Sequence, residues 1–163
     1  MTNITVRYLK FNLEEDKDFN AEVIPGDPEI SYLVVGLSMI LPYLEPYLIK
    51  HSLAGQKIVN DPALLHDMRQ FSQQEGQHYR QHSLFNDRFR KQYPELELLE
   101  RRAKEDYERL SRRGLKFNLA FAEGCESLTH PLGIFMWNSG MIRDMRESIA
   151  DICTWHFLEE MEH

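Results

Sequence analysis

Hydrophobic and polar positions along the chain fall into four long helical blocks. No stretch shows the strict two-residue alternation strong enough to name a strand. The first block runs from about Glu29 to His51. It follows "VIPGDPE", in which Asp27-Pro28 opens a helix. The second has Asp61 as N-cap and Pro62 at the first helical position, and it runs to about Tyr93, where Pro94 stops it. The third, "LKFNLAFAEGCESLTHPLGIFMW", is apolar on most sides and is therefore expected to be central, with a kink at Pro131. Phe117, Phe121, Phe135 and Trp137, with Trp155 from the last block, are expected in the core, some of them lining a pocket. Asn138-Ser139-Gly140 is a break. The fourth block begins between Gly140 and Glu147 and reaches His163. Residues 1–28 read as an irregular or extended arm.

The connections set the topology. The first and second blocks, and the third and fourth, have short links, so each pair should be antiparallel. The link from the second to the third, Pro94 to Gly114, is charged and rich in helix formers. Its thin apolar stripe is Leu96, Leu98, Leu99 and Leu110, which predicts a mostly solvated connecting helix. At 1.5 Å per residue it covers about 30 Å, enough to return the chain along the bundle. The expectation is an all-α, ferritin-like up-down-down-up four-helix bundle with a long helical crossover, forming one domain over residues 1–163.

Charge and composition narrow the function classes. The net charge of -7 argues against nucleic acid as a partner. The apolar run Tyr32–Leu44 is interrupted by Gly36, Ser38 and Pro42 and is too short for a span of about 20 residues, so no membrane is expected. The N-terminus carries no apolar signal-like run. Cys125 and Cys153 are too few for a disulfide scaffold and are expected to be inert thiols in a reduced, cytoplasmic setting.

Candidate chemistry lies in two E-x-x-H pairs, Glu75–His78 in the second block and Glu160–His163 in the fourth. Chance alone gives about 0.7 such pairs in this composition, so context carries the weight. A carboxylate-bridged dimetal site in a bundle takes one Glu from each of two helices and a Glu-x-x-His from each of the other two. Glu45 and Glu126 supply the remaining carboxylates at matching heights: the separations Glu45–Glu75 and Glu126–Glu160 are 30 and 34 residues. Glu45 is the only charge between Glu29 and Lys50. Burying unpaired carboxylates is costly, so facing buried carboxylates imply cations. Glu123, one turn before Glu126, is the substitute ligand or an outer acceptor; Glu159 and Glu162 are expected to be solvated, with an outer role beside the ligands as the alternative. His82 follows His78 by four and His156 precedes Glu160 by four. On antiparallel helices these steps converge, placing the two imidazoles together one turn from the metals, as an added ligand, a proton-transfer pair or an outer support. Gly76 and Gly124, each beside a candidate ligand, are expected to permit close backbone approach.

These segments resemble the bacterial family of predicted metal-dependent hydrolases. "LPYLEPYLIK" is similar to the family's F-P-x-G-E-x-F-F-I-R, with Glu45 on the glutamate. "RQFSQQEGQHYRQHSLFN" is similar to R-x-F-x-x-Q-E-x-x-H-x-x-x-H-x-x-F-N, carrying Glu75, His78 and His82. Glu126 and Thr129 match a Glu-x-x-Thr, and "WHFLEEMEH" matches W-H-x-x-E-E-x-E-H with His156, Glu160 and His163. Leu44 stands where the family has glycine. Family members continue beyond the position of His163, so the chain is expected to be truncated there. The resemblance implies an enzyme with two metal ions, iron foremost, manganese or zinc otherwise. Either dioxygen-dependent oxidation or oxygenation of a small molecule, or hydrolysis, follows from such a site. Ferritin-type iron oxidation and storage is the non-enzymatic alternative. A small-molecule substrate is the expected partner, entering from the His82/His156 end, and a homodimer is a possible assembly.

Overall fold

The computed structural model of the protein describes residues 4–13 and 17–163; parts of the expected N-terminal arm, 1–3 and 14–16, lie outside the described residues. Among the described residues there are no strands and six helices: α1 (Pro28–Gly55), α2 (Pro62–Gln92), α3 (Leu96–Leu110), α4 (Leu115–Asn138), α5 (Met141–Asp144) and α6 (Glu147–Glu160). The two N-caps read from the sequence are made. The Asp27 carboxylate accepts from the Ile30 amide at 3.1 Å, and Asp61 accepts from Ala63 and Leu64 at 2.8 and 3.3 Å. Each satisfies amides that the first helical turn leaves without partners. At the α4–α5 joint Gly140 takes φ +81°, a left-handed conformation that costs other residues and ends α4 sharply.

Side-chain pairs fix the helix directions. Along α1 and α2, Ser38 meets His82 and Asn86 while Ser52 meets Ser72, so the two are antiparallel. Across α2 and α6, His82 meets His156 and His78 meets Glu159, again antiparallel. Thr129 of α4 donates to Glu160 of α6, and Glu126 lies against His163, giving a third antiparallel pair. The four long helices therefore run up, down, down, up. By length and composition α1 could cross a membrane. In the bundle, however, its Ser38, Tyr47 and His51 side chains bond to residues of α2, α4 and the end of α3.

The apolar core sits toward one end of the bundle, and the N-terminal arm helps to build it. Phe19 packs against Phe85 and Phe89 with ring centroids 5.6 and 4.5 Å apart, alongside buried Val23, Met39, Ile149 and Ile152. The arm is irregular, as expected, but it is held along α2 by glutamine amides. Gln74, Gln81 and Gln92 donate to the carbonyls of Thr5, Leu9 and Phe19. These bonds satisfy backbone groups that an irregular segment would otherwise leave unpaired.

Two expectations need correction. First, α4 is not central: it buries only Asn118, Gly133 and Met136, and leaves Leu128, Phe135 and Trp137 largely exposed. It meets α1, α5 and α6, and Leu128, Ile134, Phe135 and Trp137 are left exposed among the described residues. Phe135 and Trp137 are thus outside the core, Trp155 is inside, and Phe117 and Phe121 are half-buried. α4 continues as one helix through Pro131 to Asn138, as α1 does through Pro42 and Pro46. The crossover helix α3 is mostly solvated, as expected, and it docks through Tyr107, which packs on Tyr47, and through buried Glu100, which pairs with Arg90. Second, α6 ends at Glu160, leaving His163 just beyond it.

Candidate metal centre

An i, i+3 step turns a helix by about 300°, so Glu75 and His78 leave α2 on nearly the same side. Both are buried in the bundle, facing Glu160 and His163 from the end of α6. Glu75 Oε1 lies 3.5 Å from His78 Nδ1 and 3.8 Å from His163 Nδ1. Glu160 does the same with its two oxygens, Oε1 at 3.4 Å from His78 Nδ1 and Oε2 at 3.8 Å from His163 Nδ1. Glu126 Oε2 is 2.8 Å from His163 Nδ1. Ligand atoms of Glu75, Glu126, Glu160 and His163 all lie within 4.8 Å of one another, and so do those of His78, His156 and Glu160, and of Glu45, His82 and His156. All six candidate ligands read from the sequence are therefore brought into these three adjoining groups. Glu123 is not: it is exposed and accepts from Ser127 on the same helix.

The electrostatics of this cluster suit cations. Both oxygens of Glu45, Oε1 of Glu75 and Nδ1 of His78 are buried without a hydrogen-bond partner among the described residues. Burial, then repulsion from Glu75, holds the Glu45 carboxyl well above its usual range. Burial also pushes Glu126 up to about 8, against the pull of His163. Burial would lower His78, but Glu159, Glu160 and Glu75 overcome it and raise it well above an ordinary histidine. Burial would raise Glu160, but His156 and His78 hold it well below a normal carboxyl. Orphaned carboxylate oxygens and an orphaned imidazole nitrogen facing one another are a poor arrangement for a dry interior and a good one for hard or borderline metal ions.

A surrounding layer fixes both imidazoles with Nδ1 facing inward. His78 Nε2 lies 3.1 Å from Glu159, and His163 Nε2 lies 2.9 Å from the Gln74 amide oxygen. Glu159 is fully buried, which corrects its expected solvation, and it accepts from Arg7 at 3.1 Å. Glu162, also expected to be solvated, accepts from Arg7, the Thr5 amide and Gln74. Such partners orient ligating histidines and raise their basicity. Gln74 and Glu159 each immediately precede a motif glutamate and serve the histidine of the other helix. That position was the one signal in the sequence; nothing local marks Arg7.

His82 and His156 converge as expected, with Nε2 and Nδ1 2.7 Å apart. Their hydrogen bonds run in order. The Ser38 hydroxyl donates to Asn86 Oδ1 at 2.8 Å, so it accepts from His82 Nδ1 at 2.9 Å. His82 Nε2 is then an acceptor, and His156 Nδ1 donates to it. His156 Nε2 lies 3.1 Å from Glu160 Oε1, with a lone pair when the ring is neutral and a donated proton when it is charged. Burial, first of all, lowers the pKa of both rings, while Glu160 pulls His156 the other way.

Two expectations about small residues fail. A Cβ at Gly76 or Gly124 would meet nothing within 4 Å; the close approach is instead at Gly133, where Phe157 would lie at 3.0 Å. The thiols behave as expected: burial pushes Cys125 up to about 11 and Cys153 up to about 12, leaving both as protonated, unpaired cysteines.

A bundle of helices enclosing carboxylates and imidazoles with unpartnered inward-facing atoms defines a metal-dependent helical protein. The chain belongs to the predicted metal-dependent hydrolase family, whose model matches residues 5–163. No curated protein and no solved structure matches it.

Proposed function

We propose that the protein is an enzyme with two metal ions, iron or manganese, held by Glu45, Glu75, His78, Glu126, Glu160 and His163 in a ferritin-like bundle. It would oxidise or oxygenate a small molecule with dioxygen. The observation that carries the reading is the way Glu75 and Glu160 each face both His78 Nδ1 and His163 Nδ1, which suits carboxylates shared between two cations. Glu45 and Glu126 would be terminal carboxylates. Bound iron would supply the electrons that dioxygen needs; bound zinc would supply an activated water instead. The chain's own part is to hold the ligands through Gln74, Glu159 and Arg7, to keep bulk water out, and to offer the His82–His156 pair for proton movement.

Hydrolysis is the second reading, and the family's name favours it. The space beside His156 favours oxidation, because it is lined almost wholly by apolar groups, whereas a hydrolase needs delivered water and a polar scissile group. Ferritin-type iron storage is the third. Metal analysis of protein purified without chelator comes first: no metal, and no stability lost to a chelator, refutes the site. Anaerobic ferrous loading followed by air then separates the rest. Dioxygen uptake without mineral supports the oxidase or oxygenase, uptake with mineral supports storage, and no uptake with zinc bound supports the hydrolase.

A further inference from the structure

A cavity of about 420 Å³, within the size range of small-molecule sites, lies between α1 and α4 and is backed by α6. Its lining includes no Asp, Glu, Lys or Arg. On α1 it extends from Val34 to Leu44 and on α4 from Cys125 to Met136, which is about 15 Å at 1.5 Å per residue. It is therefore a slot parallel to the helices. The two ends differ. One lies level with the carboxylate cluster, where Thr129 donates to Glu160 at 2.6 Å and His156 Nε2 faces Glu160. The other is closed by Val34, Phe85, Met136 and Ile152, the last three buried. Leu37 and Leu128, exposed on α1 and α4, flank the slot from the surface side.

We propose that this slot is the substrate site and that the substrate class is an unbranched aliphatic chain. Its tail fills the end at Val34 and Met136, and its functional end lies at Thr129 and His156. The assignment deepens the proposed function and rests on it for which end of the chain reacts. Three observations lead to it. The absence of charged lining leaves nothing to compensate a buried ion in the tail region. The length favours a chain over a compact ring: Thr129 to Met136 is about 10 Å along α4, and an extended chain advances by about 1.1–1.2 Å per bond, so that stretch holds roughly ten carbons. Of the polar lining residues, Ser38 and His82 spend their polar atoms on each other, Asn86 and His156, so Thr129 and His156 beside the cluster orient the chain.

The test is calorimetric titration of straight-chain alcohols of increasing length into chelator-treated and into metal-loaded protein. One molecule should bind per chain, about fourfold more tightly per added methylene, until roughly ten carbons, with no further gain beyond. Leu132→Trp, halfway along the slot, should move that limit to shorter chains. Val34→Phe, at the tail end, should do the same and serves if the tryptophan variant does not fold. A limit unmoved by both variants overturns the proposal. So does affinity independent of length, more than one alcohol bound per chain, or tighter binding of a ten-carbon fused ring than of a ten-carbon chain. The slot and the metal reading fail separately. Length-dependent binding by a protein that takes up no metal keeps the slot and removes the dimetal function. Metal uptake without length-dependent binding does the reverse.

Discussion

Glu45 is where the cost of the cluster can be measured. It lies on α1 with 1% of its surface exposed, and neither carboxylate oxygen has a hydrogen-bond partner among the described residues. A buried, unsatisfied polar group costs about 1–3 kcal/mol, and leucine has similar size without that cost. Glu45→Leu should therefore stabilise the metal-free protein by about 1–3 kcal/mol. In a chain of this length each kcal/mol shifts Tm by roughly 2–4 °C, so the variant should melt several degrees higher in the presence of chelator. Glu45→Gln keeps the shape and leaves an amide equally unsatisfied, so it should gain little. With metal the order should invert. A ligand at a hundred times its Kd adds about 2.7 kcal/mol to the wild type, and a variant lacking a ligand forfeits much of that. Thermal melts followed by circular dichroism, with chelator and then with manganese, make both comparisons on the same samples. If Glu45→Leu melts well below wild type without metal, Glu45 has a structural role in the empty bundle, and the argument from its orphaned oxygens fails.

Three further outcomes are expected. Metal-free protein should lose stability as pH rises from 6.5 to 8. Glu126, raised to about 8, stays protonated when folded but is ionised when unfolded, so the folded state binds the extra proton and loses about 1–2 kcal/mol over that window. His78 and His163, also raised, act in the same direction, whereas lowered His82 and His156 oppose it only below about 6.5, the ordinary histidine value. Metal-loaded protein should show the opposite trend, because ligands bind metal deprotonated; chelator-free and chelator-treated melts at three pH values decide it. Glu159→Ala should weaken metal affinity by roughly 10–100-fold in competition titrations, since it removes the acceptor at His78 Nε2; unchanged affinity would assign Glu159 to the Arg7 pairing alone. Gly140→Ala should cost about 1–2 kcal/mol with or without metal, because its φ of +81° is left-handed; a loss confined to metal-loaded protein would contradict that account.

What the sequence made legible was what local chemistry encodes. Asp27-Pro28, Asp61-Pro62 and Pro94 mark helix boundaries within a residue or two, because caps and proline act over one turn. Glu45 stood out because a lone charge in an apolar helix needs a reason, and the E-x-x-H pairs because i, i+3 shares a face. What stayed hidden depends on which surfaces meet. Periodicity gives α4 an apolar face but not a neighbour to cover it, so Phe135 and Trp137 were misplaced. Phe19 and Val23 entered the core from an irregular segment with no period to read. Glu159 looks like any acidic residue near a chain end until Arg7, 152 residues away, and His78 close around it.

The order of hydrogen bonds from Asn86 to Glu160 bears on how much charge the cluster must hold. Each donor in that series is committed: Ser38 to Asn86, His82 to Ser38, His156 to His82. At its end a neutral His156 Nε2 and an ionised Glu160 Oε1 would face each other at 3.1 Å, lone pair against lone pair. Only positive charge between them, a proton or a cation, makes that contact favourable. A proton satisfies this one pair but leaves Glu45 and Glu126 to be neutralised separately, by holding their own protons against the usual carboxyl preference. A pair of divalent cations would balance all four carboxylates at once, and every inward imidazole nitrogen, that of His156 included, would then have a partner. That balance is why the proposed site would take two ions rather than one. The two would be unequal, because His156 lies with His78 and Glu160, whereas His163 lies with Glu75, Glu126 and Glu160.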